Sequence, residues 1–156
     1  MKTILALFGC LLFATPCFSA EKASKDLAKL SPLAYAAFEC HHFALMAKDQ
    51  KLAEKLFNLG YRSGLEFLEA VKAKKIKEED LRAEVPIGFK WVAEGPSNDF
   101  IMGRLYESSS RDSEKVRSEQ PGADADTWVM LARNELITRN AELLVRDEPD
   151  EEIAKP

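Results

Sequence analysis

The sequence predicts an all-α, single-domain bundle of four to five main helices behind a cleaved signal peptide. Three observations carry that expectation. Apolar side chains recur at helical spacing through most of the chain; β-branched and aromatic residues nowhere alternate with polar ones for long; and 156 residues is the length of one ordinary domain. The limits that follow are a signal peptide over 1–19, a helical domain over 20–145 and an acidic flexible tail over 146–156.

The leader is read from Lys2, which supplies a positive start, and from the uncharged apolar run Ile4 to Phe13. A cut after Ser19 places Cys17 and Ser19 at the two small-residue positions. The apolar run is shorter than the ~20 residues a bilayer span needs, and no later segment approaches that length, so the mature chain should have no stable membrane insertion. The expected location is periplasmic or secreted. Residues 1–19 hold one base and no acid, so their loss makes a chain of formal charge −4 more acidic still. Such a balance argues against nucleic acid as a partner, because phosphate neutralisation needs clustered Lys and Arg. The one Lys-dense stretch, Lys72 to Lys77, reads as a helix end followed at once by Glu78-Glu79-Asp80.

The elements follow in order. After a frayed start over 21–30, Ser31 reads as an N-cap and Pro32 as the first helical residue. Leu33, Ala36, Ala37, Cys40, Ala44 and Ala47 then mark the buried side of a first helix ending near Asp49. A second and longest helix runs from about Gln50 to Lys75, with Leu52, Leu56, Leu59, Ser63, Phe67, Ala70 and Val71 on one face. Gly60 and Gly64 inside it each cost about 1 kcal/mol relative to alanine; close approach of another helix accounts for them, and a break at Leu59-Gly60 is the alternative. Short helical pieces are expected at 78–84 and from Pro86 to Val92, stopped by Gly95-Pro96. Ser97 caps the next helix, whose buried side is expected to hold Phe100, Ile101, Gly103, Leu105 and Tyr106, with a kink or end at Ser108-Ser109-Ser110. Gln120-Pro121-Gly122 is a break. The last helix starts near Asp124 or Asp126 and runs to about Val145, burying Trp128, Leu131, Ala132, Leu136 and Leu143 or Leu144.

Candidate chemistry is sparse. Glu39-Cys40-His41-His42 holds the only two histidines. Successive helical residues point about 100° apart, so Cys40 and His41 cannot act as a pair from one face. Glu39 and His42 do share a face, but the Glu-x-x-His motif of di-iron bundles appears once where two copies are needed. His41, flanked by Ala37, Phe38, Ala44 and Leu45, is expected to be a hydrogen-bonded core histidine and His42 the more exposed of the two. A His42/Met46 pair could touch a soft metal such as Cu(I), which makes metal handling a third reading, but two residues are too thin to claim as a site; no metal and no cofactor is expected. Cys40, at helical spacing from Ala36, Ala37, Phe43 and Ala44, should be a buried, inert thiol. The segment from Gly95 to Tyr106 is the most distinctive: Arg104, among apolar neighbours, must reach a carboxylate or helix-end carbonyls, with Asp99 and Glu39 as candidate partners. H-E-x-x-H, P-loop, G-x-S-x-G and G-x-G-x-x-G signatures are all missing.

The residues therefore point to binding, with Glu39, His42, Asp99 and Arg104 as the candidate binding residues, no catalytic residue assigned, and Tyr61, Trp91 and the acids 78–80 as exposed candidates. The expected role is a non-enzymatic inhibitor, immunity or accessory factor acting on another envelope or secreted protein. The alternative is a small carboxylate-based hydrolase that gathers the same four residues in one cleft. Taken with Phe38-Glu39-Cys40, Gly60 to Gly64, Glu79-Asp80 and Pro86, the Gly95–Tyr106 run resembles an uncharacterised family of small exported α-helical bacterial proteins, often encoded near prophage or mobile-element genes. The resemblance covers about residues 35–145 and implies no agreed activity. It also implies a second Cys near the position of Ala141, able to pair with a Cys matching Cys40; alanine there leaves this chain without that bridge.

Overall fold

The computed structural model describes residues 22–147; the expected leader and residues 148–156 of the expected tail lie outside the described residues. The described chain is all-α, and the expected four to five helices become nine segments: α1 Ser24–Ala28, α2 Leu30–Met46, α3 Gln50–Lys72, α4 Glu78–Glu84, α5 Ile87–Val92, α6 Asn98–Ser109, α7 Arg111–Glu119, α8 Ala125–Thr138 and α9 Ala141–Leu144.

The additional breaks have local causes. The stretch read as a frayed start contains α1, tied down where the Ser24 hydroxyl donates to Asp80 and accepts the Lys77 N–H at 2.8 Å. Ser31 does not cap α2: it lies inside the helix, buried, and its hydroxyl donates back to the Ala28 carbonyl at 3.0 Å. Ser108, Ser109 and Ser110 each donate to a carbonyl three residues earlier, competing with the helical ladder where α6 gives way to α7. Asn140 takes a left-handed backbone, φ 53°, which ends α8 and starts the short α9. That turn buries Ala141 and Val145 and leaves Leu143 outside.

Other boundaries fall where the residue types put them. Asp49, Ser97 and Asp124 cap α3, α6 and α8 by accepting the N–H of Leu52, Phe100 and Thr127 at 3.0, 3.1 and 2.8 Å. Helix α3 is unbroken. A β-carbon at Gly60 would lie 2.8 Å from Phe38 Cδ1, and one at Gly64 would run into the Met102 side chain, so both glycines serve close packing.

Helix α2 lies at the centre. Ala34 and Phe38 meet Phe67, Phe89, Ile101, Met102 and Leu105 in one cluster, while Ala37, Cys40, Phe43 and Ala44 meet Leu56, Leu59, Ala132, Leu136 and Ala141 in a second. It therefore packs against α3 along its length, with α6 and α8 on its other sides. Its many alanines allow that crowding. The buried side of α6 is Ile101, Met102, Leu105 and Ser109; Gly103 and Phe100, expected inside, are exposed. No helix among the described residues is long and apolar enough to cross a membrane.

Candidate functional site

The two histidines sit side by side on α2 and face α3 and α6. A carbonyl can only accept, so the 2.8 Å contact of His41 Nδ1 with the Ala53 oxygen puts the proton on Nδ1. Nε2 then accepts from the Tyr106 hydroxyl at 3.1 Å. His41 is 8% exposed, and the neutral ring satisfies both partners without placing a charge in that buried position. Burial lowers its pKa, the Ala53 hydrogen bond partly opposes that, and neighbouring His42 lowers it further. His42 is half-buried, donates from Nε2 to the Tyr106 carbonyl at 3.1 Å and packs its ring 4.5 Å from that of Tyr106. Burial lowers its pKa as well, against the pull of the Tyr106 hydrogen bond and of Glu114. Phe38 and Phe57 close the cluster against the Tyr106 ring.

Glu39 belongs to a different arrangement. The Arg139 guanidinium reaches Glu39 at 3.3 Å, Asp112 at 2.8 Å and Glu135 at 3.3 Å, and lies 5.0 Å from the Phe43 ring centre. One cation thus ties α2, α7 and α8 together. Burial raises the Glu39 pKa, Arg139 pulls it back and Asp112 pushes it up again. A guanidinium held by three carboxylates has no charge to offer an anionic ligand, so this cluster acts as a strut. Arg139 carried no signal in sequence: it is a lone base a hundred residues from Glu39.

Asp99 accepts from the Tyr61 hydroxyl at 2.7 Å at the surface. Arg104 pairs with neither Asp99 nor Glu39. It donates to the Glu94 carbonyl at 2.9 Å and, at the longer limit of 3.5 Å, to the Trp91 carbonyl, with its guanidinium 5.9 Å from the Phe100 ring centre. Those carbonyls sit in the last turn of α5 and just beyond it, where a cation is favoured, so Arg104 clamps α5 to α6. The four candidate residues are therefore held by four separate sets of partners. Glu39 and His42 share α2, and Asp99 and Arg104 share α6, yet within each pair the two side chains use different neighbours.

Cys40 is buried, and burial pushes its thiol up to about 11, with Arg139 pulling the other way; it is a thiol and not a nucleophile at neutral pH. Met46 is buried and its sulfur lies 3.5 Å from Arg117 Nε. No group of three or more His, Cys, Asp or Glu side chains among the described residues is placed to hold a metal ion.

The fold also exposes large apolar side chains. On α5, Ile87 and Trp91 lie four residues apart on one face, 65% and 72% exposed, while Phe89 between them is fully buried and packs edge-on against Phe67. Helix α5 is thus anchored from below by Phe89 and from the side by Arg104. Tyr61 is partly covered, and the acids 78–80 are largely engaged: Glu78 with Arg82, Glu79 with Lys77, Asp80 with Ser24. Elsewhere, a 510 Å³ groove between the start of α3, α8 and α9 is lined by Leu52, Leu136, Ile137, Ala141 and Leu143 together with Arg133 and three further polar or acidic residues. None of Glu39, His42, Asp99 and Arg104 lines it. Comparison of the chain with protein-family models, with curated proteins and with solved structures finds no match.

Proposed function

We propose that this chain is an exported, non-enzymatic binding protein, an inhibitor, immunity or accessory factor of the cell envelope, that meets a protein partner through α5. The observation that carries the reading is the exposure of Ile87 and Trp91 on a helix fixed from two sides. An exposed tryptophan on a rigid support has the character of an interface anchor: a large contact area already immobilised, so little ordering entropy is lost on binding. The four candidate residues support the same reading, since each is engaged by partners of its own and they are not gathered in one cleft. The positive start and apolar run expected to form a leader over residues 1–19 support the location.

The test is binding of purified partner to wild type, Trp91→Ala and Ile87→Ser, after capture from envelope extract and reconstitution. Trp91→Ala should weaken the complex at least about thirtyfold, the loss of an anchor worth 2 kcal/mol or more. A complex indifferent to both substitutions, or failure of any envelope protein to bind wild type, overturns the reading. Fusion of residues 1–19 to a reporter active only after export tests the location separately; a silent reporter removes it.

A further inference from the structure

The outward face of α8 carries Asp126, Met130, Arg133 and Ile137. Their spacings of four, three and four place them along one seam, while Ala132 and Leu136 face the core. All four are exposed, Met130 at 55% and Ile137 at 74%, and with Val129 and Asn134 they line a shallow groove. Arg133 has no hydrogen-bond or ion-pair partner among the described residues. Two large apolar side chains and a free cation thus stand together on a helix whose other side is fixed in the core.

The order of charges along this seam is self-complementary. Asp126 and Arg133 are seven residues apart, about 10.5 Å along the axis, with Met130 between them. A second α8 laid antiparallel, about a two-fold axis passing between Val129 and Met130, sets Asp126 of each chain against Arg133 of the other. The same operation packs Met130 against the facing Val129 and Met130. A parallel arrangement instead opposes acid to acid and base to base. Two-fold contacts use one patch twice, and this patch supplies both halves of its own ion pair.

The geometry points to a symmetric, antiparallel contact between the α8 outer faces of two copies of this chain. The helices overlap over residues 125–134, which puts Met130 inside the contact and leaves Ile137 beyond its edge; the area is small by the standard of stable interfaces, so the dimer is weak and forms as concentration rises. It leaves Trp91, on a different helix, to the partner proposed above; either surface can fail without the other.

Sedimentation equilibrium of the purified protein over a wide concentration range reads the contact directly. Wild type should show a monomer–dimer equilibrium that weakens with added salt. Asp126→Arg and Arg133→Asp should each raise the dissociation constant at least about tenfold, because two attractive pairs become two repulsive ones. The double exchange, Asp126→Arg with Arg133→Asp, should restore wild-type affinity. Circular dichroism verifies that each variant is folded; should a charge variant not fold, Met130→Ser carries the test, with the same expected weakening. A monomer at every concentration overturns the proposal and leaves the seam to an unlike partner. A dimer indifferent to the single changes, or a double exchange no better than either single, overturns it as well.

Discussion

Lowering the pH from about 7 to 5.5 should destabilise this protein, and His41 should carry most of the effect. The ring is 8% exposed and both nitrogens are committed in the neutral form, Nδ1 donating to Ala53 and Nε2 accepting from Tyr106. Its folded pKa lies below the ordinary value near 6.5. Above about pH 6.5 neither folded nor unfolded chain protonates the ring, and the shift contributes nothing. Below it, the unfolded chain takes up a proton that the folded chain refuses, so stability falls until the pH reaches the lowered folded value. The slope approaches one proton, about 1.4 kcal/mol per pH unit. His42, half-buried and drawn the other way by Glu114, adds a smaller share of the same sign. Glu39 has a raised folded pKa and acts with the opposite sign, stabilising as the pH falls through that value toward the unfolded one near 4.3. The histidine contribution sets in as the pH falls below about 6.5, and a parallel profile of Glu39→Gln separates it from the opposing carboxylate. Urea unfolding followed by circular dichroism at intervals from about pH 7 to 5.5 gives the slope, and His41→Gln should reduce it to the His42 share. A flat profile, or a slope unchanged by His41→Gln, refutes the assignment of a neutral, doubly bonded His41.

Two glycines in helices should respond oppositely to alanine. Gly60→Ala forces a β-carbon against the buried Phe38 ring and should cost about 1–2 kcal/mol net of the helix-propensity gain, whereas Gly103→Ala, with nothing within 4 Å, should stabilise by about 0.5–1 kcal/mol; thermal midpoints moving in the same direction would contradict the packing described. Arg139→Ala leaves Glu39, Asp112 and Glu135 facing one another and should cost about 2 kcal/mol in urea unfolding, part of the full burial penalty being screened because the guanidinium is 27% exposed. A loss under about 0.5 kcal/mol would mean the cluster is ornamental at the surface. Cys40 should ignore thiol reagents until the protein unfolds. Modification of Cys40 by a thiol reagent in the folded protein would contradict its burial.

Much of the fold was legible because local chemistry decides it. Asp49, Ser97 and Asp124 cap helices through their own side chains, and Gly60 and Gly64 signalled close packing without naming Phe38 or Met102. The helix count was misread where a weak local signal was overruled. Asn140 sits in an unremarkable helical pattern, and only the buried seat available to Ala141 and Val145 makes a left-handed turn there worthwhile. His41 was readable as a core histidine from its apolar flanks, but its partners Ala53 and Tyr106 lie on other helices. Arg104 was readable as an arginine in need of acceptors; that these are the carbonyls at the end of α5 depends on how α5 and α6 meet. Trp91 stood out by residue type, and its four-residue spacing from Ile87 was available in sequence once α5 was placed. The strut at Arg139 joins residues 27 and 100 positions apart, a relation no local pattern encodes.

Both apolar clusters take one wall from α2, and this bears on how the molecule comes apart. Neither half can melt alone, since loss of one cluster strips a flank from the helix that supports the other. A single cooperative transition follows, and amide hydrogens in α2 and the facing turns of α3 should exchange most slowly, through global opening alone. The α2–α3 hairpin, joined by only three residues, is also the cheapest long contact for the chain to close, which makes it the natural nucleus on which the later helices assemble.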